Sequence, residues 1–139
     1  MPAAADQVIE RLRAAGIQPS AQRVAVARYV LVTQEHPSAD RVWAQVKRSL
    51  PVISRATVYN TLNLFVRKGL LRELALREGN VVFDPKLEPH HHFIDDRTGR
   101  IVDVAWDAVD LPAPRVPGLQ VREWQVVMRG RVQPARTRR

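Results

Sequence analysis

Apolar positions in the first half of the chain recur every three to four residues, and caps or breakers separate the runs. Residues 5–15 read as a first helix that stops at Gly16. Ser20 is placed to cap a second, with Val24, Ala27, Val30 and Leu31 on its buried stripe. His36-Pro37 interrupts it, because proline restricts the residue before it and has no backbone donor. Ser38 caps a third helix with Val42, Trp43, Val46 and Leu50 facing inward, and Pro51 ends it. Ser54 caps a fourth, which runs to about Lys68 and stops at Gly69.

On the fourth helix Val58, Thr61, Leu62 and Phe65 share one face, and Ala56, Tyr59, Asn60, Asn63 and Arg67 share the other. No acidic residue stands between Ser54 and Lys68, whereas a bland solvated face usually mixes Glu with Lys. An acid-free polar face suits a helix laid in the DNA major groove, where phosphate repels carboxylates. Two short runs follow, residues 70–76 and 81–84, separated by Arg77-Glu78-Gly79-Asn80, with Gly79 and Asn80 suited to the turn. Helices followed at once by a hairpin describe a winged helix, and the order of elements carries that reading more than the hairpin does.

After Asp84 the pattern changes. Phe93-Ile94, residues 101–104 and residues 121–128 read as strands, the first two joined by the turn Asp96-Arg97-Thr98-Gly99. Residues 106–111 read as a short helix, and Pro112, Pro114, Pro117 and Gly118 mark a loop. Three strands in about 55 residues make a thin core, so this half is expected to complete itself by pairing with a second copy. The fold class expected is therefore α+β, a winged helix-turn-helix domain over residues 1–84 followed by a small α/β dimerisation domain over 85–139. A flexible basic tail is expected from about residue 133.

Charge sharpens the division. Residues 1–83 hold 12 Lys/Arg against 6 Asp/Glu, residues 84–121 hold 4 against 7 with three of the four histidines, and residues 122–139 hold 6 against 1. A basic first half points to a polyanionic partner, and an acidic, histidine-rich middle to cations. A solvated surface with a loose basic tail would give the same composition. The 139 residues contain no cysteine, which excludes disulfides, thiolate zinc sites and cysteine nucleophiles. No apolar run approaches the ~20 residues of a membrane span, and a cytoplasmic location is expected.

His90-His91-His92 is the most informative tripeptide. Alternate residues of an extended segment face the same way, so His90 and His92 converge while His91 points elsewhere. Asp84 stands where the hairpin ends, and Asp103 sits between apolar neighbours where a carboxylate needs a partner. Each has an ordinary reading as well: Asp84 before Pro85 can simply start a turn, and a histidine is often a satisfied core residue.

Taken together these landmarks resemble the ferric uptake regulator family, in particular its peroxide-sensing branch. They run in order as Ala14-Ala15-Gly16-Ile17, Gln22-Arg23, His36-Pro37-Ser38-Ala39-Asp40 and Ala56-Thr57-Val58-Tyr59-Asn60-Thr61-Leu62. Phe83-Asp84, the three histidines and Gly99-Arg100-Ile101-Val102-Asp103 complete the series. The resemblance implies a regulatory metal on His36, Asp84, His90, His92 and Asp103, one divalent ion per subunit. Three nitrogen and two oxygen donors suit Fe²⁺, Mn²⁺ or Zn²⁺. It implies a homodimer on double-stranded, palindromic operator DNA, with the ion joining the two halves in a DNA-competent arrangement. It further implies DNA contacts by Arg23, Ser54, Arg55, Thr57, Tyr59 and Asn60, and peroxide sensing through oxidation of His36 or His90 by a bound iron.

The chain departs from the family pattern in one respect. Where relatives carry a first C-x-x-C pair, this chain has Asp95 and Thr98, and Val132 stands near the expected place of the last cysteines. No structural Cys₄ zinc is therefore expected, and dimer cohesion falls to apolar packing, with Trp124, Val126 and Met128 as candidates. A haem-responsive or manganese-responsive regulator of the same family stays open as an alternative. So does a His/Asp metallohydrolase, although no nucleophile or second carboxylate motif accompanies the cluster. The chain is otherwise expected not to be an enzyme.

Overall fold

A computed structural model describes residues 4–77 and 80–134, in two compact units that meet between Leu87 and Glu88. The first unit contains α1 (Ala4–Ala14), α2 (Ala21–Val30), α3 (Ala39–Val46) and α4 (Arg55–Arg67). The hairpin β1 (Arg72–Arg77) and β2 (Asn80–Asp84) follows directly. The expected glycine turn at Gly79 lies outside the described residues, as do residues 135–139 of the expected tail.

Three serine caps start three of the helices. The hydroxyls of Ser20, Ser38 and Ser54 accept the backbone N–H groups of Arg23, Arg41 and Thr57, satisfying donors that a helix start leaves unpaired. Two glycines end helices in the left-handed region, Gly16 at φ 75° after α1 and Gly69 at φ 77° after α4. After each, the next residue bonds back into the last turn, Ile17 to the Leu12 carbonyl and Leu70 to that of Phe65, both at 2.9 Å.

The helices bury one continuous core that includes Leu12, Val26, Val30, Val42, Val58, Leu62 and Phe65, to which Phe83 of β2 also contributes. The expected inner face of α4 is buried in full: Val58, Thr61, Leu62 and Phe65. On α2 the expected Ala27 and Val30 are buried, as is Leu31 just after it; Val26 joins them, and Val24 is only half-buried. Trp43 and Leu50 are likewise half-buried, with Val42 and Val46 filling the α3 side of the core. The Trp43 indole donates to the Ile53 carbonyl at 3.1 Å, which fixes the ring at the surface end of α3. Four helices with an antiparallel hairpin after the last give the winged-helix order, and the chain as a whole is α+β.

The second unit is a three-stranded sheet in the order β4-β3-β5, from β3 (His90–Asp95), β4 (Ile101–Ala105) and β5 (Val127–Gly130). The central β3 pairs antiparallel with β4 and parallel with β5. Its helical content among the described residues is a single 3₁₀ turn, Trp106–Ala108, shorter than the helix expected over residues 106–111. The β5 strand likewise starts six residues later than the expected 121–128 run, at Val127. Asp95 closes the β3–β4 turn. Its carboxylate accepts the Arg97 N–H at 2.8 Å, and its carbonyl accepts the Gly99 N–H at 2.7 Å. The Arg97 amide, helped by Thr98, holds the Asp95 carboxyl below the usual carboxylate range against the opposing effect of burial. Hydrogen bonds thus organise this turn, at the positions where the family resemblance would place a cysteine pair.

Candidate metal centre and nucleic-acid interface

Strand alternation brings together three residues of the candidate metal centre. Within β3, His90 and His92 stand two residues apart on one side of the pleat, and the antiparallel register sets Asp103 of β4 directly opposite His92. Both histidines are buried, and their Nε2 atoms lie 3.3 Å and 3.6 Å from the Asp103 Oδ1. Each ring is oriented from behind. The His90 Nδ1 meets the Glu88 carbonyl at 2.6 Å, and the His92 Nδ1 meets the Gln125 side-chain oxygen at 2.7 Å. A carbonyl oxygen only accepts, so each Nδ1 carries the proton and, in the neutral ring, each Nε2 presents a lone pair.

The arrangement therefore aims two imidazole lone pairs and a carboxylate oxygen at one another in a buried place. Acceptors brought this close favour a positive charge among them. A divalent cation would supply that charge, and the Nδ1 acceptors are of the kind that metal-binding imidazoles ordinarily have as outer partners. The donor set fits a first-row divalent metal.

His91 is also buried but on the opposite side of the strand. Its ring stacks on Trp106 at 4.4 Å with a 15° tilt, lies 5.7 Å from Trp124, and accepts the Val126 N–H on Nδ1 at 2.9 Å. Accepting on Nδ1 places the proton on Nε2, which is buried with no hydrogen-bond partner among the described residues. The third histidine is a packing residue. Trp124, expected as a dimer contact, is in van der Waals reach of both His91 and Trp106.

In the first unit, His36 Nε2 lies 3.2 Å from Asp84 Oδ2, both buried. His36 takes a left-handed backbone, φ 52°, just before Pro37. That conformation is uncommon for a residue with a side chain and persists only where its surroundings hold it. Here the Phe83 N–H donates to the Pro37 carbonyl at 2.9 Å, tying the loop to the end of β2, where Asp84 stands. The other Asp84 oxygen accepts the Lys86 N–H at 2.9 Å. The turn role and the pairing role of Asp84 thus coexist on its two oxygens.

The polar face of α4 is exposed along its length at Arg55, Ala56, Tyr59, Asn60, Asn63 and Arg67. An open groove of about 610 Å³ runs beside it, lined among others by Ser20, Gln22, Arg23, Thr57, Asn60 and Arg67. The structure gathers Arg23, Thr57 and Asn60 there, while Arg55 and Tyr59 turn instead toward Asp40 of α3. Arg23 is held against the Gln18 carbonyl at 2.9 Å. The Ser54 hydroxyl is engaged in capping and in a 2.8 Å bond to the Thr57 hydroxyl, so its first duty is structural. Sequence reasoning missed Asp40, Trp43 and Gln125. The Asp40 carboxylate carries no helix-face signal, Trp43 reads as core, and Gln125 acts through a contact 33 residues away in sequence.

The ferric uptake regulator family profile matches residues 14–128. The peroxide-responsive repressor PerR of Staphylococcus epidermidis is 34% identical over 105 residues, 76% of this chain and 70% of that protein. Among solved structures, the ferric uptake regulator of Vibrio cholerae superposes with a TM-score of 0.69 at 20% identity, covering 89% of this chain and 98% of that one. PerR of Streptococcus pyogenes superposes with a TM-score of 0.53 at 26% identity, covering 94% and 92%. This chain spans about two thirds of the length of the curated relatives that it matches.

Proposed function

This chain belongs to the ferric uptake regulator family, and from that premise we propose that it is a metal-dependent dimeric repressor of the peroxide-responsive kind. The observation that carries the reading is the convergence of two oriented imidazole lone pairs on the Asp103 carboxylate in the second unit. One Fe²⁺, Mn²⁺ or Zn²⁺ ion per subunit binds His90, His92 and Asp103 together with His36 and Asp84. When bound, the ion supplies positive charge to this set of nitrogen and oxygen donors. The ligands belong to both units, so ion affinity is linked to the arrangement of the α4 helices of a homodimer, and by reciprocity to DNA affinity.

Arg23, Ser54, Arg55, Thr57, Tyr59 and Asn60 form the DNA face. Arg23 and Thr57 position the phosphate backbone, and Tyr59 and Arg55 reach base edges. The named peroxide-responsive relatives support a peroxide input, for which His36 and His90 are the oxidation candidates.

The test is footprinting on palindromic duplexes with Mn²⁺ or Fe²⁺, with and without chelator. Protection is expected only with the ion, and is expected to lose that dependence in His90→Ala and Asp103→Ala. Protection that persists in chelator sinks the metal switch. Mass spectrometry of the iron-loaded protein after peroxide treatment is expected to find oxygen added to His36 or His90.

A further inference from the structure

The two α4 side chains assigned to base edges both end on one acid. Asp40 lies in the first turn of α3, and its Oδ1 accepts the Tyr59 hydroxyl at 3.2 Å and lies 3.5 Å from the Arg55 Nε. Arg55 and Tyr59 are four residues apart on α4, so one turn of the helix brings both toward the same neighbour. The Arg55 guanidinium also lies over the Trp43 ring, 4.7 Å from its centroid, and Lys47 Nζ sits 4.1 Å from the same centroid. Trp43 is itself held by the Ile53 carbonyl. Two residues of α3 thus set the posture of two residues of α4.

Each contact alone is weak, because the Asp40 and Arg55 side chains are 62% and 59% exposed and such pairs are screened by water and salt. Weakness suits a contact that DNA has to displace. A free guanidinium on a groove-facing helix binds any phosphate, which raises affinity for every sequence alike. Paired with a carboxylate, it gains little from a random phosphate and is released only where a better partner stands opposite. A tyrosine anchored through its hydroxyl likewise presents its ring from one direction, which favours one position of a thymine methyl over others.

We propose that Asp40 is a specificity-determining positioning residue: it neutralises Arg55 and anchors Tyr59, so that this face discriminates between sequences more than it attracts them. The proposal rests on the reading of α4 as the DNA-contacting helix.

The experiment uses the full chain with Mn²⁺ and two duplexes, one recovered by the unaltered protein from a random-sequence pool and one scrambled from it. Dissociation constants are measured over a range of salt. Asp40→Ala is expected to bind the scrambled duplex about threefold more tightly, with a salt slope steeper by about 0.9, one additional phosphate neutralised. Its preference for the selected duplex is expected to fall about tenfold. Asp40→Asn keeps an oxygen for the Tyr59 hydroxyl, so it is expected to steepen the slope equally while retaining most of the preference. Tyr59→Phe is expected to lose preference without changing the slope.

Glu10→Gln, an exposed acid on α1, makes the same change in net charge and is expected to change neither quantity. A slope that moves equally in Glu10→Gln and Asp40→Asn overturns the proposal in favour of bulk charge. Equal weakening on both duplexes, together with a lower unfolding midpoint, overturns it in favour of a purely helix-stabilising role. If the unaltered protein enriches no duplex, the DNA-binding reading fails, and the proposal fails with it. If that protein enriches a duplex and Asp40→Ala matches it in slope and preference, only the proposal fails.

Discussion

The two units are stabilised by different means. In the first, sixteen buried apolar residues form one core under four helices and a hairpin. In the second, the buried residues among those described are Ile94, the three histidines and Asp95, so Ile94 alone is apolar. Apolar side chains that could have covered the sheet are exposed instead, Leu111, Leu119 and Val121 among them. A helical unit with a deep core needs no ligand to persist. A sheet whose interior is imidazole and carboxylate gains its cohesion from whatever neutralises and covers those groups. Structure and sensing are thus divided between the units, with stability concentrated where DNA would be read and responsiveness where the ion would bind.

The sharpest way to break this contrast is to damage the deep core. Phe65 is fully buried, and Phe65→Ala is expected to cost about 3 to 5 kcal/mol in denaturant unfolding followed by far-UV circular dichroism. A loss below about 1 kcal/mol would mean that the helical core is not what holds the first unit. Next in size is the ion itself. Mn²⁺ at a hundredfold excess over its dissociation constant is expected to add about 2.7 kcal/mol to the stability of the folded chain. That gain should register in the Trp106 and Trp124 fluorescence transition and vanish in His92→Ala. An equal gain in the variant would remove His92 from the ligand set.

The smallest expected effect separates His91 from its neighbours. His91→Phe keeps the stack on Trp106 and removes the orphaned Nε2, but leaves the Val126 N–H without its acceptor. A net loss of about 1 kcal/mol is expected, with Mn²⁺ affinity unchanged. A tenfold loss of Mn²⁺ affinity in isothermal titration would contradict the division of labour along β3.

Legibility in the sequence differs between the units for the same physical reason. The serine caps, the glycine stops and the inner face of α4 are local devices, and each follows from residues within one turn of it. The β5 boundary is not local. Residues 121–126 carry strand-forming Val, Trp and Val, yet the Val126 N–H bonds the His91 ring, and the parallel ladder with β3 begins only at Val127. The 3₁₀ turn at Trp106–Ala108 stays short although residues 106–111 favour a helix, because the backbone is already extended at Val109.

In the site, the chemical character of His90, His92 and Asp103 was readable from the strand period. Their register was not, because the pairing of His92 with Asp103 is a property of two strands. The left-handed backbone of His36 was equally out of reach. Pro37 predicts a break there, but the sign of φ is decided by the tie between Pro37 and Phe83.

The aromatic nest around His91 bears on how three identical residues in a row are told apart. A strand that slid by one position would turn His91 toward Asp103 and carry His90 and His92 away, leaving one imidazole beside that carboxylate in place of two. Nothing in the repeated side chain itself forbids that slip. The indoles of Trp106 and Trp124 and the waiting N–H of Val126 do so, because they accept a ring in the central place and nowhere else along the tripeptide. The histidine turned away from Asp103 thus acts as the alignment mark for the two beside it.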